Sequence, residues 1–312
     1  MKREKGFTLI ELLVVIAIIA LLLGILLPAL SYVRQQASAA VCGANQAGLG
    51  KSWYLYQEEH DGRLVGLSNY HSGGRRTPYR WLEQPLYEDW HNPGAPPEGQ
   101  SNAVVPDAQI THEYELNGIR AGKLFPYTES EKLYHCPADK NWVKAPSNYA
   151  VYISYAGAGL MNSEDFNTRT GWPGDVLPTG WRTVGSAPGG NIRLGLAQKF
   201  DDIASPGDRY IFVEEDYYTG KGQNWYRGGF VLMANANYWS WWDWPADYHN
   251  NRSTLAFADG HTEKRTWRDP RTISIITNTP MPGTNQVAGA VQVGNEDMEW
   301  LNRGYLAMGF KR

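Results

Sequence analysis

Glu11-Leu12-Leu13-Val14-Val15-Ile16-Ala17-Ile18-Ile19-Ala20-Leu21-Leu22-Leu23-Gly24-Ile25-Leu26-Leu27-Pro28 is the stretch that decides how this chain folds. Sixteen apolar residues, Leu12 to Leu27, stand in a row. The helix-compatible segment from Phe7 to Leu30 measures roughly 36 Å at 1.5 Å per residue, enough to cross a bilayer. Lys2, Arg3 and Lys5 precede it against a single Glu4. The positive-inside rule then holds the N-terminus in the cytoplasm and sends the rest of the chain outward. Three readings compete: a removed secretory signal peptide, a plain anchor and a processed assembly helix. The run is long for a signal peptide, and Ala37-Ser38-Ala39, the nearest triplet resembling a cleavage site, begins ten residues past Leu27. A plain anchor leaves Glu11 unexplained, because a carboxylate in hydrocarbon costs about 2.5 to 3.5 kcal/mol unless a partner offsets it.

Composition sets the remaining bounds. With 312 residues and 42% hydrophobic content the chain can bury an ordinary core, which excludes a disordered polymer. Lys+Arg 29 against Asp+Glu 32 gives a net charge of −3, so the basic footprint of a nucleic-acid binder is absent. Two cysteines exclude a disulfide-dense scaffold and an all-cysteine zinc site, and allow one bridge. Trp 13, Tyr 19, Gly 33 and Pro 18 point to a loop-rich, half-β body.

Lys5-Gly6-Phe7-Thr8-Leu9-Ile10-Glu11 ahead of the apolar run resembles the N-terminal signal of type IV prepilins and type II secretion pseudopilins. The resemblance implies cleavage by a prepilin peptidase between Gly6 and Phe7, N-methylation of Phe7, and Glu11 as the fifth residue of the mature chain. Pro28 matches a proline common in these helices. Cleavage creates an α-amine at Phe7, with which the carboxylate of Glu11 on a neighbouring subunit can pair in low dielectric. The implied partners are other pilin or pseudopilin subunits, the peptidase and the inner membrane, with no nucleic acid. The implied location is single-pass in the inner, cytoplasmic membrane, with an extracytoplasmic head assembled into a fibre.

The organisation expected is a leader over 1–6, an assembly helix over 7–30, an amphipathic stalk over 31–60 and a head over 61–312. Leu30, Val33, Ala37, Val41, Ala44, Gly48, then Leu49, Trp53 and Tyr56, recur at spacings of three and four, the mark of an amphipathic helix. Asp61-Gly62 is its stop signal. In the head the pattern predicts helices over 121–127 and 296–302, strands over 209–214 and 229–233, and long loops over 92–105 and 171–190. The fold class expected from the resemblance is α+β and pilin-like, a long N-terminal helix packed on an antiparallel sheet.

Residues 249–267 predict a β-hairpin turning at Asp259-Gly260. His249, nine intervening residues, then Asp259-Gly260 resembles the prepilin-type processing-associated H-x9-DG domain. Further matches to that family are Cys42 with Asn45, Glu59-His60-Asp61-Gly62, His135-Cys136-Pro137-Ala138-Asp139, and Ser154-Tyr155 to Met161-Asn162. His249, Asp259 and His261, with Asp243 and Asp247 upstream, are candidate ligands for a structural divalent cation, the only cofactor in view; the competing reading is turn chemistry with a packed histidine. Trp239, Trp241, Trp242 and Trp244 are candidates either for stacking sugars, as in a membrane-anchored glycan-binding module, or for packing on the head's own core. Arg75, Arg76 and Arg80 read as a solvated loop. Cys42 and Cys136 form a disulfide or remain two thiols. No nucleophile elbow, Walker loop or His-Glu-x-x-His motif occurs, so nothing points to an enzyme.

Overall fold

The computed structural model describes residues 8–67, 80–86, 111–140, 152–162, 181–187, 190–215, 228–230, 232–234, 239–241, 243–277, 292–305 and 307. Helix α1 (Leu9–Glu59) runs unbroken through Pro28. Its start is a capping box: the Thr8 hydroxyl accepts from the Glu11 amide, and the Glu11 carboxylate accepts from the Thr8 amide at 2.8 Å. It ends where expected, with Asp61 and Gly62 both in the left-handed region at φ of 54° and 75°.

The two ends of α1 meet different surroundings. From Leu9 to Leu30 the large apolar side chains are exposed on every side, and none of the other described residues covers them. From Ala39 onward one stripe is buried, namely Ala39, Cys42, Gln46, Leu49, Trp53 and Tyr56. Val41 and Ala44 lie on the outward face, so the single apolar stripe expected from the sequence divides in two. Spacings of three and four fit both faces equally; the sheet takes the one with the larger rings. Helical glycines lie on that contact. A Cβ at Gly48 would sit 2.6 Å from Leu133, and one at Gly50 3.7 Å from Ile211.

The main sheet has five strands in the order β5 (Gly229–Phe230), β1 (Tyr155–Ala158), β4 (Tyr210–Glu214), β8 (Arg252–Phe257) and β9 (Thr262–Thr266). It is mixed and not purely antiparallel as expected, because β5 runs parallel to β1. The hairpin of β8 and β9 pairs Arg252 with Thr266 through Ala256 with Thr262. Polar, outward β9 closes the sheet with charged side chains, which discourages edge pairing. Two further ribbons join β2 (Trp181–Ala187) with β3 (Gly190–Gly195), and β6 (Leu232–Ala234) with β7 (Trp239–Trp241). The strand expected over 229–233 is thus shared between β5 and β6, and part of the loop expected over 171–190 is β2. The loop expected over 92–105 lies outside the described residues.

Helix α1 covers one face of the sheet, where Gly43 and Gly50 approach Thr254, Ile211 and Ala256. On the other face lies α5 (Glu296–Tyr305), whose Tyr305 and Trp300 meet Tyr210 and Phe257 at ring distances of 6.4 and 6.5 Å. The helix expected over 121–127 is replaced by α2 (His112–Arg120), a turn, and α3 (Phe125–Thr128). Gly122 sits in that turn because a Cβ there would fall 2.2 Å from the Trp81 carbonyl oxygen. Helix α4 (Pro270–Ile276) is capped by Asp269 and was not expected from the pattern. The resulting architecture is α+β, a long N-terminal helix packed on a sheet, consistent with the pilin-like class expected.

Candidate functional site

The first candidate surface is the N-terminal half of α1. Within the single chain Glu11 is satisfied locally, because one carboxylate oxygen accepts from both the amide and the hydroxyl of Thr8 at 2.8 Å. Gly6 and Phe7 lie outside the described residues. Pro28 stands inside the helix without ending it.

The second candidate is a buried cluster that the fold assembles from four separate elements. Cys42 comes from α1, Cys136 from the turn after the 3₁₀ segment Glu131–Tyr134, Glu214 from the end of β4 and His249 from the approach to β8. Their ligand-type atoms lie within 4.8 Å of one another, and all four residues are buried. His249 Nε2 is 3.1 Å from Glu214 Oε1 and 3.5 Å from Cys136 Sγ. The other Glu214 oxygen accepts from the Thr254 amide at 2.9 Å, while Gln46 on α1 donates to the Thr254 carbonyl at 2.8 Å. Stalk and hairpin are thereby tied together beside the cluster.

The electrostatics follow from burial and mutual contact. The hydrogen bond with Cys136 holds the Cys42 thiol below its ordinary value, against burial that acts upward. Burial raises Cys136, and the Cys42 contact adds to it. Burial pulls His249 down, but hydrogen bonds to Cys42 and Glu214 outweigh it and push the imidazole up to about 9. Two sulfurs, an imidazole nitrogen and a carboxylate within reach of one another are a metal-ligand set in chemical type.

The cation set expected from sequence is not brought together. His249 stands at the open end of the hairpin and Asp259 at its turn, with all of β8 between them, roughly 20 Å at the usual strand rise. Asp259 and His261 instead pair with each other at 2.5 Å on the surface, and the His261 ring stacks on Phe257. Asp247 accepts from the Asn251 amide, and burial raises its carboxyl. The bridge considered for Cys42 and Cys136 is not formed here, since both are free thiols. Of the four residues that do meet, sequence reasoning missed Glu214; the available signal was a carboxylate closing the apolar strand Tyr210–Val213.

The tryptophan segment divides as well. Trp241 is wholly buried and donates from Nε1 to Gln292 at 3.0 Å, and Trp244 is 5% exposed, so neither ring offers a face to a sugar. Trp239 contributes backbone to β7, and Trp242 lies outside the described residues. Arg80 and Trp81 are likewise core residues, not a solvated loop.

Other quoted matches converge around the cluster. Asn45 donates to the His135 carbonyl at 3.0 Å, the His135 ring stacks on Tyr152, and Ser154 donates to Asp139 at 2.7 Å. At the stalk exit Asn162 donates to the Leu64 carbonyl at 2.6 Å.

Comparison with known proteins bears on the N-terminal segment. Residues 1–27 match the family described as the prokaryotic N-terminal methylation motif. The type IV wide pilus major component PilA4 of Thermus thermophilus is 44% identical over 61 residues, which cover 20% of this chain and 47% of that protein. The chain therefore spans about half the length of the curated relative it matches. No solved structure matches. Over its N-terminal segment the chain is therefore similar to type IV pilins.

Proposed function

We propose that this chain is a subunit, and a minor one, of a type IV pilus or type II secretion pseudopilus-like fibre. The observation that carries the reading is the bare apolar stem: Leu9 to Leu30 is exposed around the whole helix, while the described residues of the head pack on the part of α1 beyond it. About 20 residues of uncovered apolar helix require either lipid or other helices. The methylation motif supplies the means of moving from the first to the second.

In this reading a prepilin peptidase cuts between Gly6 and Phe7, Phe7 is N-methylated, and the stem waits in the inner membrane with the N-terminus cytoplasmic and the head outside. Assembly exchanges lipid for neighbouring stems, and Glu11 pairs with the Phe7 ammonium of the adjacent subunit. The Thr8 cap keeps Glu11 hydrogen-bonded until that partner arrives. The 252 residues from Asp61 to Arg312 form a bulky head that crowds a helical array, which favours a minor role. The H-x9-DG resemblance of His249 to Gly260 fits the same route.

Intact mass and N-terminal sequence of the protein from its native envelope test this. A chain starting at N-methylated Phe7 is expected. The Glu11→Ala chain should still insert in the membrane but be missing from sheared fibres. A chain starting at Met1 would leave a tethered head, and one starting near Ala40 a secreted soluble protein; either overturns the reading.

A further inference from the structure

We infer that Cys42, Cys136, Glu214 and His249 form a closed tetrahedral zinc site that clips the stalk helix to the head. Zinc bonds of about 2.3 Å to sulfur and 2.0–2.2 Å to nitrogen or oxygen set the ligand spacings of a tetrahedron. The edges come to about 3.8 Å between sulfurs, 3.5 Å between sulfur and nitrogen and 3.4 Å between nitrogen and oxygen. The structure has 3.5 Å from Cys136 Sγ to His249 Nε2 and 3.1 Å from His249 Nε2 to Glu214 Oε1, with all four ligand atoms within 4.8 Å. Glu214 is preset by its neighbour, the Thr254 amide, which donates to its second carboxylate oxygen at 2.9 Å.

The chemistry of the set selects the ion. Two sulfurs and an imidazole are poor ligands for calcium or magnesium, which take oxygen shells. A carboxylate among them disfavours copper(I), and four protein ligands leave no open position, the mark of a structural and not a catalytic site. On binding, each thiol releases its proton to solvent as its sulfur bonds the metal, and His249 supplies the Nε2 lone pair after losing any proton there. No electron is transferred. Two thiolates and one carboxylate against Zn²⁺ leave a net charge of −1.

A bridge would explain the cysteines but not why Glu214 and His249 complete the shell around them. The zinc ion uses all four groups and protects both sulfurs from oxidation. Its ligands span the chain from residue 42 to residue 249, so it fixes the angle between stalk and head. This inference stands on the cluster geometry and holds whether or not the chain joins a fibre.

The full-length chain, extracted in mild detergent without chelators, is expected to carry about one zinc per molecule by elemental analysis. Replacement by cobalt(II) should give sulfur-to-metal charge-transfer bands and the visible spectrum of tetrahedral cobalt. Stripping the metal should lower Tm, and zinc alone should restore it. Glu214→Gln and Cys136→Ser should each retain less than about a tenth of the metal. Should those variants fail to fold, metal content and the cobalt spectrum of the unmodified chain still decide. A metal-free protein overturns the inference, whether its mass is about 2 Da low from a Cys42–Cys136 disulfide or both thiols titrate freely.

Discussion

At the scale of single residues, chemistry follows burial more than residue type. Trp241 and Trp244 belong to a segment that on composition alone suits a sugar platform, yet both rings are inside the head. Trp241→Ala should therefore cost about 3–5 kcal/mol of stability, as removal of a core indole does. Thermal unfolding of the detergent-solubilised chain checks this. Retention on a polysaccharide column that is lost in a variant with unchanged Tm would restore the sugar-binding role. Glycines show the same logic. Gly157 of β1 is needed because a Cβ there would lie 2.4 Å from the Leu67 carbonyl oxygen, so the neighbouring segment can cross the strand only where a side chain is missing.

At the scale of elements, α4 and α5 are joined through carboxylates. Asp297, wholly buried at the start of α5, accepts from the amides of Arg268 and Asp269 at 2.8 Å each. Asp269 in turn caps α4 and grips Arg271, accepting from its Nε at 2.9 Å and its Nη2 at 2.7 Å. The hydrogen bond from Arg271 holds the Asp269 carboxyl below the ordinary carboxylate range. A lowered native pKa means that the stabilisation is complete above the unfolded value, about 3.9, and disappears as pH falls through the native one. Asp269→Ala should cost about 1–2 kcal/mol near neutrality. The gap in Tm from the parent chain should close below pH 4; a gap independent of pH would assign the loss to packing. Helices α2 and α4 were both legible in principle. Thr111 with Glu113 and Glu115 after it, and Asp269 followed by Pro270, are start signals. Neither stands out in the sequence, because each helix is short and its apolar period brief.

At the scale of the molecule, α1 presents three surfaces: a stem bare on all sides, a stripe buried by the sheet, and an outward apolar face at Val33, Val41 and Ala44. Val41 is 45% exposed, so Val41→Glu should leave the Tm of the solubilised chain within about 0.5 kcal/mol equivalent of the parent. Incorporation into fibres should fall sharply, because a new charge would have to be desolvated against a neighbouring subunit. Normal incorporation would show that this face stays in water. The zinc clip belongs to the same scale, since it would lock the stalk stripe carrying Cys42 against the sheet.

The sequence by itself determined the apolar stem, the helix through Pro28 to the Asp61-Gly62 stop, and the hairpin turning at Asp259-Gly260. Each of these is written in neighbouring residues: an unbroken hydrophobic run, a period of three and four, a two-residue turn. Only the tertiary structure decided which stalk face is buried, that β5 runs parallel to β1, and that His249 turns away from Asp259 toward Glu214. His249 meets Glu214 across 35 positions and Cys136 across 113. Local pattern carries no record of such pairings, because they are selected by how α1, β4 and β8 pack and by the cost of leaving buried charge without a partner.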